Sequence, residues 1–140
     1  MGSNSHEHRL LDEFLAADIY AIGIPMYNFS IPSTFKAYID QIVRPGRTFV
    51  YESEDAANPY KPLVLGNKMF VIAARGGSGF GPGEYNEKLN HQDPYLTTIL
   101  GFIGITDITF VAVETDEFGG KTLAESIANA RVQVAQLVGR

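Results

Sequence analysis

The sequence predicts an α/β fold built on a parallel sheet with helices on both faces. Three short apolar runs, at 19–24, 69–74 and 108–113, are the right length for strands and too short for helices. Segments with apolar residues at helical spacing lie between and around them. The runs are apolar throughout instead of alternating, as expected of strands covered on two sides. The order is helix, strand, helix, strand, helix, strand, helix, so three strands are expected.

Taken in order, residues 1–8 are expected to be an unstructured tail and 9–140 a single domain. Leu10, Leu11, Phe14 and Leu15 share one helical face, with Asp12 and Glu13 opposite. The strand at 19–24 is closed by Pro25, which cannot donate a ladder hydrogen bond. Ser33 reads as an N-cap, followed by Phe35, Tyr38, Ile39, Ile42 and Val43 at helical spacing. That helix stops at Arg44, because the residue before Pro45 is pushed out of the helical region. Residues 47–67 read as a long connection broken at Asn58-Pro59 and Lys61-Pro62, with 48–51 briefly extended. The strand at 69–74 runs into a flexible glycine-rich loop at 75–83. Asp93-Pro94 predicts a helix start, with Asp93 as cap and Pro94 in the first turn. Leu123, Ile127, Ala130, Val134 and Leu137 mark the inner stripe of a last helix.

Composition narrows the function. The 140 residues carry a net charge of −5 and no basic stripe, which argues against a nucleic-acid partner. With no cysteine, disulfides, thiolate nucleophiles and iron–sulfur clusters are excluded. No apolar run reaches the ~18 residues of a membrane span, and the amino end lacks a secretory pattern, so the expectation is a cytoplasmic protein. The glycines at 76, 77, 79, 81 and 83 miss both nucleotide-loop spacings. His6-Glu7-His8 and His91 do not form a metal cluster with acidic partners, and no catalytic acid–base constellation is visible. No metal site and no catalytic residue are expected, so any hard chemistry belongs to a cofactor.

Two loops are candidates for holding one. Pro25-Met26-Tyr27-Asn28-Phe29-Ser30 and the stretch from Ala74 leave the carboxyl ends of successive strands, where ligands sit in open α/β sheets. Met, Tyr, Asn and Phe together suit something flat and aromatic. Against this stand two plainer readings: that Met26, Tyr27 and Phe29 close over the sheet end as core, and that Arg75 is a solvated strand-end charge.

The blocks Pro25 to Pro32, then Phe35-Lys36-Ala37-Tyr38-Ile39-Asp40, resemble the FMN-dependent NADH-azoreductase and NAD(P)H:quinone oxidoreductase family. So do Arg44-Pro45-Gly46-Arg47-Thr48-Phe49, Arg75-Gly76-Gly77, and Asp93-Pro94-Tyr95-Leu96 through Leu100 to Asp107. The resemblance implies a flavodoxin-like fold, a homodimer, and FMN bound at the subunit interface. It implies that Pro25, Met26, Tyr27, Asn28 and Phe29 lie along the flavin ring, and that Ala74, Arg75, Gly76 and Gly77 meet its pyrimidine side. It implies that Phe29, Tyr51 and Phe102 wall a substrate pocket. The implied reaction is ping-pong, from NAD(P)H through FMN to a quinone or azo compound.

The sequence departs from the family at its front. Family members begin with a strand, a serine-rich phosphate-binding loop, a helix and a second strand, and this chain starts after them. The expectation is an N-terminally truncated flavodoxin-like domain with 19–24 as a bare sheet edge, prone to self-association. Three phosphate hydrogen bonds, at ~1.5–3 kcal/mol each, would be missing. The rival reading is a non-catalytic remnant that no longer holds FMN tightly. A flavodoxin-type electron carrier is less favoured, since Tyr51 and Phe102 resemble a substrate pocket that a carrier does not need.

Overall fold

A computed structural model describes residues 3–115 and 120–139. Its elements are α1 (Ser3–Leu15), β1 (Ile19–Pro25), α2 (Ser33–Ile42), β2 (Phe49–Tyr51), β3 (Tyr60–Pro62), β4 (Lys68–Ala74), α3 (Asp93–Ile103), β5 (Asp107–Val113) and α4 (Gly120–Val138). A 3-10 turn at Glu87–Leu89 precedes α3. The main sheet is parallel, in the order β1-β4-β5, and β2 pairs with β3 in a separate two-stranded ladder. The three expected strands are present, with ends moved by a residue. The helix α1 begins at Ser3, so residues 3–8 are helical where an unstructured tail is expected. Once the amphipathic face around Leu11 and Phe14 nucleates a helix, adding turns at its end costs little.

The chain forms two compact units: Met1–Tyr20, Ser33–Met69 and Tyr95–Ile108 in the first, Ala21–Pro32, Phe70–Pro94 and Thr109–Arg140 in the second. The core of the first is Leu11 and Phe14 from α1, Ile39 and Ile42 from α2, with Val64, Met69, Leu96, Leu100, Ile103 and Ile105. Phe14 stacks on Tyr20 at 4.6 Å between ring centroids. The Tyr20 hydroxyl donates to the Phe14 carbonyl at 2.8 Å and accepts from Asn67 Nδ2 at 3.0 Å. Burial lifts the Tyr20 phenol above its ordinary pKa, partly offset by the Asn67 hydrogen bond.

Thr48 closes α2. It is fully buried, its hydroxyl donates to the Ile42 carbonyl at 2.9 Å, and it accepts from the Arg44 main-chain N–H at 2.9 Å. One side chain thus satisfies a carbonyl that the helix end leaves orphaned and an N–H just past it. The 47–67 connection, read as irregular apart from an extended 48–51, contains the β2–β3 ladder, with Phe49 opposite Pro62 and Tyr51 opposite Tyr60. Prolines at 59 and 62 hide this strand in the sequence. Both sit at its margins, where a missing N–H costs no interior ladder bond.

The second unit holds the strands from their third residues onward, with a core of Ile24, Val71, Ala73, Phe80, Val111 and Ala130. Although β4 is apolar after Lys68, it buries alternate residues: Val71 and Ala73 are covered, while Ile72 and Ala74 are exposed. At the edge, β1 leaves Ala21 and Gly23 exposed. No helix among the described residues is long and apolar enough to cross a membrane.

Two substitutions test the first unit. Gly104 has φ +114°, and a Cβ there would lie 2.5 Å from the Val64 carbonyl oxygen. Gly104→Ala should cost about 2–3 kcal/mol in urea unfolding. Thr48→Val keeps the shape and removes the hydroxyl, leaving the Arg44 N–H and Ile42 carbonyl without it, and should cost about 1–3 kcal/mol in the same assay.

Candidate functional site

Within the second unit, the loop after β1 and the end of β4 lie side by side: the Met26 N–H donates to the Ala74 carbonyl at 2.8 Å. Past Met26 the chain reverses in a two-residue turn. Tyr27 and Ser30 exchange both main-chain hydrogen bonds at 2.9 Å, with Asn28 at φ 48° and Phe29 at φ 67° between them. Positive φ at both central positions is the type I′ pattern. Asparagine tolerates it, whereas a bulky phenylalanine at φ 67° is an outlier worth about 1–3 kcal/mol of strain.

The segment before α3 holds that turn in place. The His91 N–H donates to the Phe29 carbonyl at 2.9 Å, the Ser30 hydroxyl to the His91 carbonyl at 3.3 Å, and Gln92 Nε2 to the Pro25 carbonyl at 3.0 Å. Gln92 is fully buried, and its Oε1 has no partner among the described residues. The result is a turn that presents rather than buries its rings: Tyr27 is 60% and Phe29 46% exposed. The reading in which these residues close over the sheet as core fails for both. Phe29 meets Phe80 at 6.3 Å between centroids.

Arg75 is not a solvated strand-end charge. It is 3% exposed, and its Nη2 donates to both Asp93 carboxylate oxygens at 2.7 Å. Its Nη1 lies 3.9 Å from Glu114 Oε1, and the Phe80 ring centroid is 6.0 Å from its guanidinium carbon. The Asp93 carboxylate is therefore engaged with arginine, and the capping role expected of it falls to Asn90. Asn90 Oδ1 accepts from the main-chain N–H groups of Gln92 and Asp93 at 3.0 Å each, and its Nδ2 donates to Asp93 Oδ2 at 2.9 Å. An asparagine just ahead of Asp93-Pro94 is a sequence signal that could have identified the cap.

Nor is 75–83 a plain flexible connection. Glu84 and Glu87 carboxylates accept from the Gly81 and Gly83 N–H groups at 2.9 Å, and Asn86 Nδ2 donates to the Ser78 carbonyl at 2.9 Å. A cleft of about 470 Å³ beside it is lined by Arg75, Glu84, Asp93, Glu114, Ser126 and Gln133, among others. With Arg75 paired and three carboxylates around it, this cleft is not built for an anion.

The uncommitted donors here lie in the main chain. Among the described residues, the N–H groups of Asn28, Phe29, Gly76 and Gly77 have no hydrogen-bond acceptor. Gly76 and Gly77 are half-buried, and a Cβ on Gly77 would come within 3.5 Å of the Phe80 ring. These donors, with the exposed Tyr27 and Phe29 rings, match a flat heterocycle edged with carbonyl and ring-nitrogen acceptors.

Tyr51 and Phe102 belong to the first unit and Phe29 to the second. Tyr51 is 61% exposed. Phe102 packs against Phe49 at 4.9 Å and Tyr60 at 5.6 Å between centroids. Neither Phe49 nor Tyr60 is a sequence candidate, and Tyr60 becomes one only when β3 is seen opposite β2. Among the described residues, no group of three acidic, histidine or cysteine side chains could hold a metal ion. His6 and His8 are within α1.

Residues 3–138 match the model of the flavodoxin-like fold family. The chain belongs to that family. Among relatives of this flavodoxin-like chain, an FMN-dependent NAD(P)H:quinone oxidoreductase of Pseudomonas aeruginosa is 45% identical over 129 residues, covering 92% of this chain and 61% of the relative. An FMN-dependent NADH:quinone oxidoreductase of Trichormus variabilis is 51% identical over 130 residues, covering 92% of this chain and 60% of the relative. The solved structure of an FMN-dependent NADH-azoreductase from Bacillus anthracis, in complex with FMN, superposes with a TM-score of 0.79 at 25% identity, covering 96% of this chain and 62% of that one. The flavodoxin-like chain thus spans about three fifths of the length of the relatives it matches.

Breaking the Arg75–Asp93 pair from one side leaves a buried guanidinium with only the longer Glu114 contact at 3.9 Å. Asp93→Ala should destabilise the chain by about 3–5 kcal/mol in urea unfolding. Arg75→Met combined with Asp93→Leu should recover most of that loss, since it removes both charges.

Proposed function

We propose that this chain carries the flavin-ring and acceptor-side residues of an FMN-dependent oxidoreductase that passes hydride equivalents from NAD(P)H to quinones or azo compounds. The observation that carries the reading is the pairing of the left-handed 25–30 turn with the 74–77 strand end. Together these offer uncommitted main-chain donors and exposed rings in one place. The names of the relatives support the same reaction class.

FMN, when bound, supplies two-electron redox chemistry between donor and acceptor. Pro25, Met26, Tyr27, Asn28 and Phe29 are assigned to one edge and face of its ring. Ala74, Arg75, Gly76 and Gly77 are assigned to the pyrimidine side, Arg75 through its main-chain carbonyl, because its guanidinium is engaged by Asp93 and its N–H by the Val113 carbonyl. Tyr51 and Phe102 are assigned to the acceptor. In balance, NAD(P)H and a proton convert a quinone to a hydroquinone and leave NAD(P)⁺. No side-chain acid or base is required of this chain.

A homodimer and a cytoplasmic location, where NAD(P)H is found, belong to this reading. The exposed residues of the β1 edge support self-association. The acidic cleft beside Arg75 favours a second reading, in which these residues contact the ring but offer no phosphate site, so that FMN is held weakly.

Flavin fluorescence during titration with FMN tests both. Saturable quenching with a Kd between micromolar and millimolar is expected, roughly −8 to −4 kcal/mol. NADH oxidation at saturating FMN with 1,4-benzoquinone should follow. Quenching without turnover would favour the remnant, and no quenching would overturn the flavin assignment.

A further inference from the structure

We propose that Tyr60 is a specificity-determining residue which, with Tyr51, selects planar fused-ring acceptors over single-ring ones. The inference rests on the reading above, in which Tyr51 and Phe102 face the acceptor. Among the described contacts Tyr60 is the one ring that meets the other three of its cluster: Tyr51 at 5.5 Å, Phe102 at 5.6 Å and Phe49 at 6.0 Å between centroids. Tyr51 has Tyr60 as its directly opposed cross-strand partner. A ladder of two three-residue strands is marginal by itself. Phe49 and Tyr60 packed on Phe102 give it an anchor in α3.

What Tyr60 does beyond anchoring follows from exposure and angle. Tyr60 is 48% and Tyr51 61% exposed, so each keeps a large part of its surface free. Their planes are inclined at 58°, which makes an open aromatic notch rather than a flat shelf. A planar molecule offset-stacked on one wall meets the other edge-on, and both geometries are favourable for aromatic rings. A fused bicyclic quinone is long enough to use both walls at once, whereas a single ring stacked on Tyr51 leaves Tyr60 unused. Tyr60 therefore adds affinity selectively for the longer acceptor.

The test measures binding of 2-methyl-1,4-naphthoquinone and 1,4-benzoquinone to the full chain, by NMR line broadening, with and without saturating FMN. Tyr60→Leu keeps apolar bulk on the hairpin, Tyr60→Phe keeps the ring, and Tyr60→Ala removes both. Leu and Ala should lower the ratio of naphthoquinone to benzoquinone affinity by about fivefold to tenfold, the size of one aromatic contact, and Phe should hold the ratio within about twofold. A ratio unchanged in Tyr60→Leu, or both affinities falling alike, would show that Tyr60 only supports the hairpin and would overturn the proposal. So would a wild-type chain that binds neither quinone. A flat FMN titration alongside a Tyr60-dependent ratio would instead remove the flavin reading and leave the notch standing.

Discussion

A charge with nowhere to go holds the candidate site together. The Arg75 guanidinium leaves the end of β4 pointing into protein, and a buried cation persists only if it is met by a carboxylate of good geometry. Asp93 meets it with both carboxylate oxygens on Nη2. That requirement sets where α3 begins, and it frees the capping position for Asn90. It also places His91 and Gln92, the two residues between cap and helix, against the loop after β1. The hydrogen bonds from His91 to Phe29 and from Gln92 to Pro25 are thus downstream of one ion pair.

The turn those bonds secure is an expensive one. Two consecutive residues in left-handed geometry, the second a phenylalanine, would relax in an isolated peptide. Here they are held by main-chain exchange between Tyr27 and Ser30 and by the donor from His91. The return is that the N–H groups of Asn28 and Phe29 are left without acceptors among the described residues, while their neighbours' are used up. Strain, exposure and uncommitted donors coincide at this one corner.

Much of this was legible in the sequence, and what was not has physical reasons. Apolar runs located β1, β4 and β5, and Pro25, Pro45 and Asp93-Pro94 located the breaks between elements, because both signals are local. The burial of Arg75 was not legible, since it depends on a carboxylate 18 positions away. Thr48 looked like any loop threonine until its hydroxyl was seen filling the end of α2. The ties within 75–92 run from glutamates to glycine N–H groups, and composition reads such a stretch as slack. Tyr60 was hidden by its flanking prolines. Side-chain partners across space, rather than element type, are what a single sequence withholds.

The aromatic cluster around Tyr60 has an optical consequence. The chain contains no tryptophan, so ultraviolet absorption near 280 nm is carried by its seven tyrosines. Two of them, Tyr51 and Tyr60, are held 5.5 Å apart at a fixed 58° tilt. Transition dipoles locked at that distance and angle couple, and coupled chromophores give a signed circular-dichroism band that freely rotating rings do not. The hairpin therefore contributes to the near-ultraviolet spectrum without an attached dye, alongside Tyr20 stacked on Phe14.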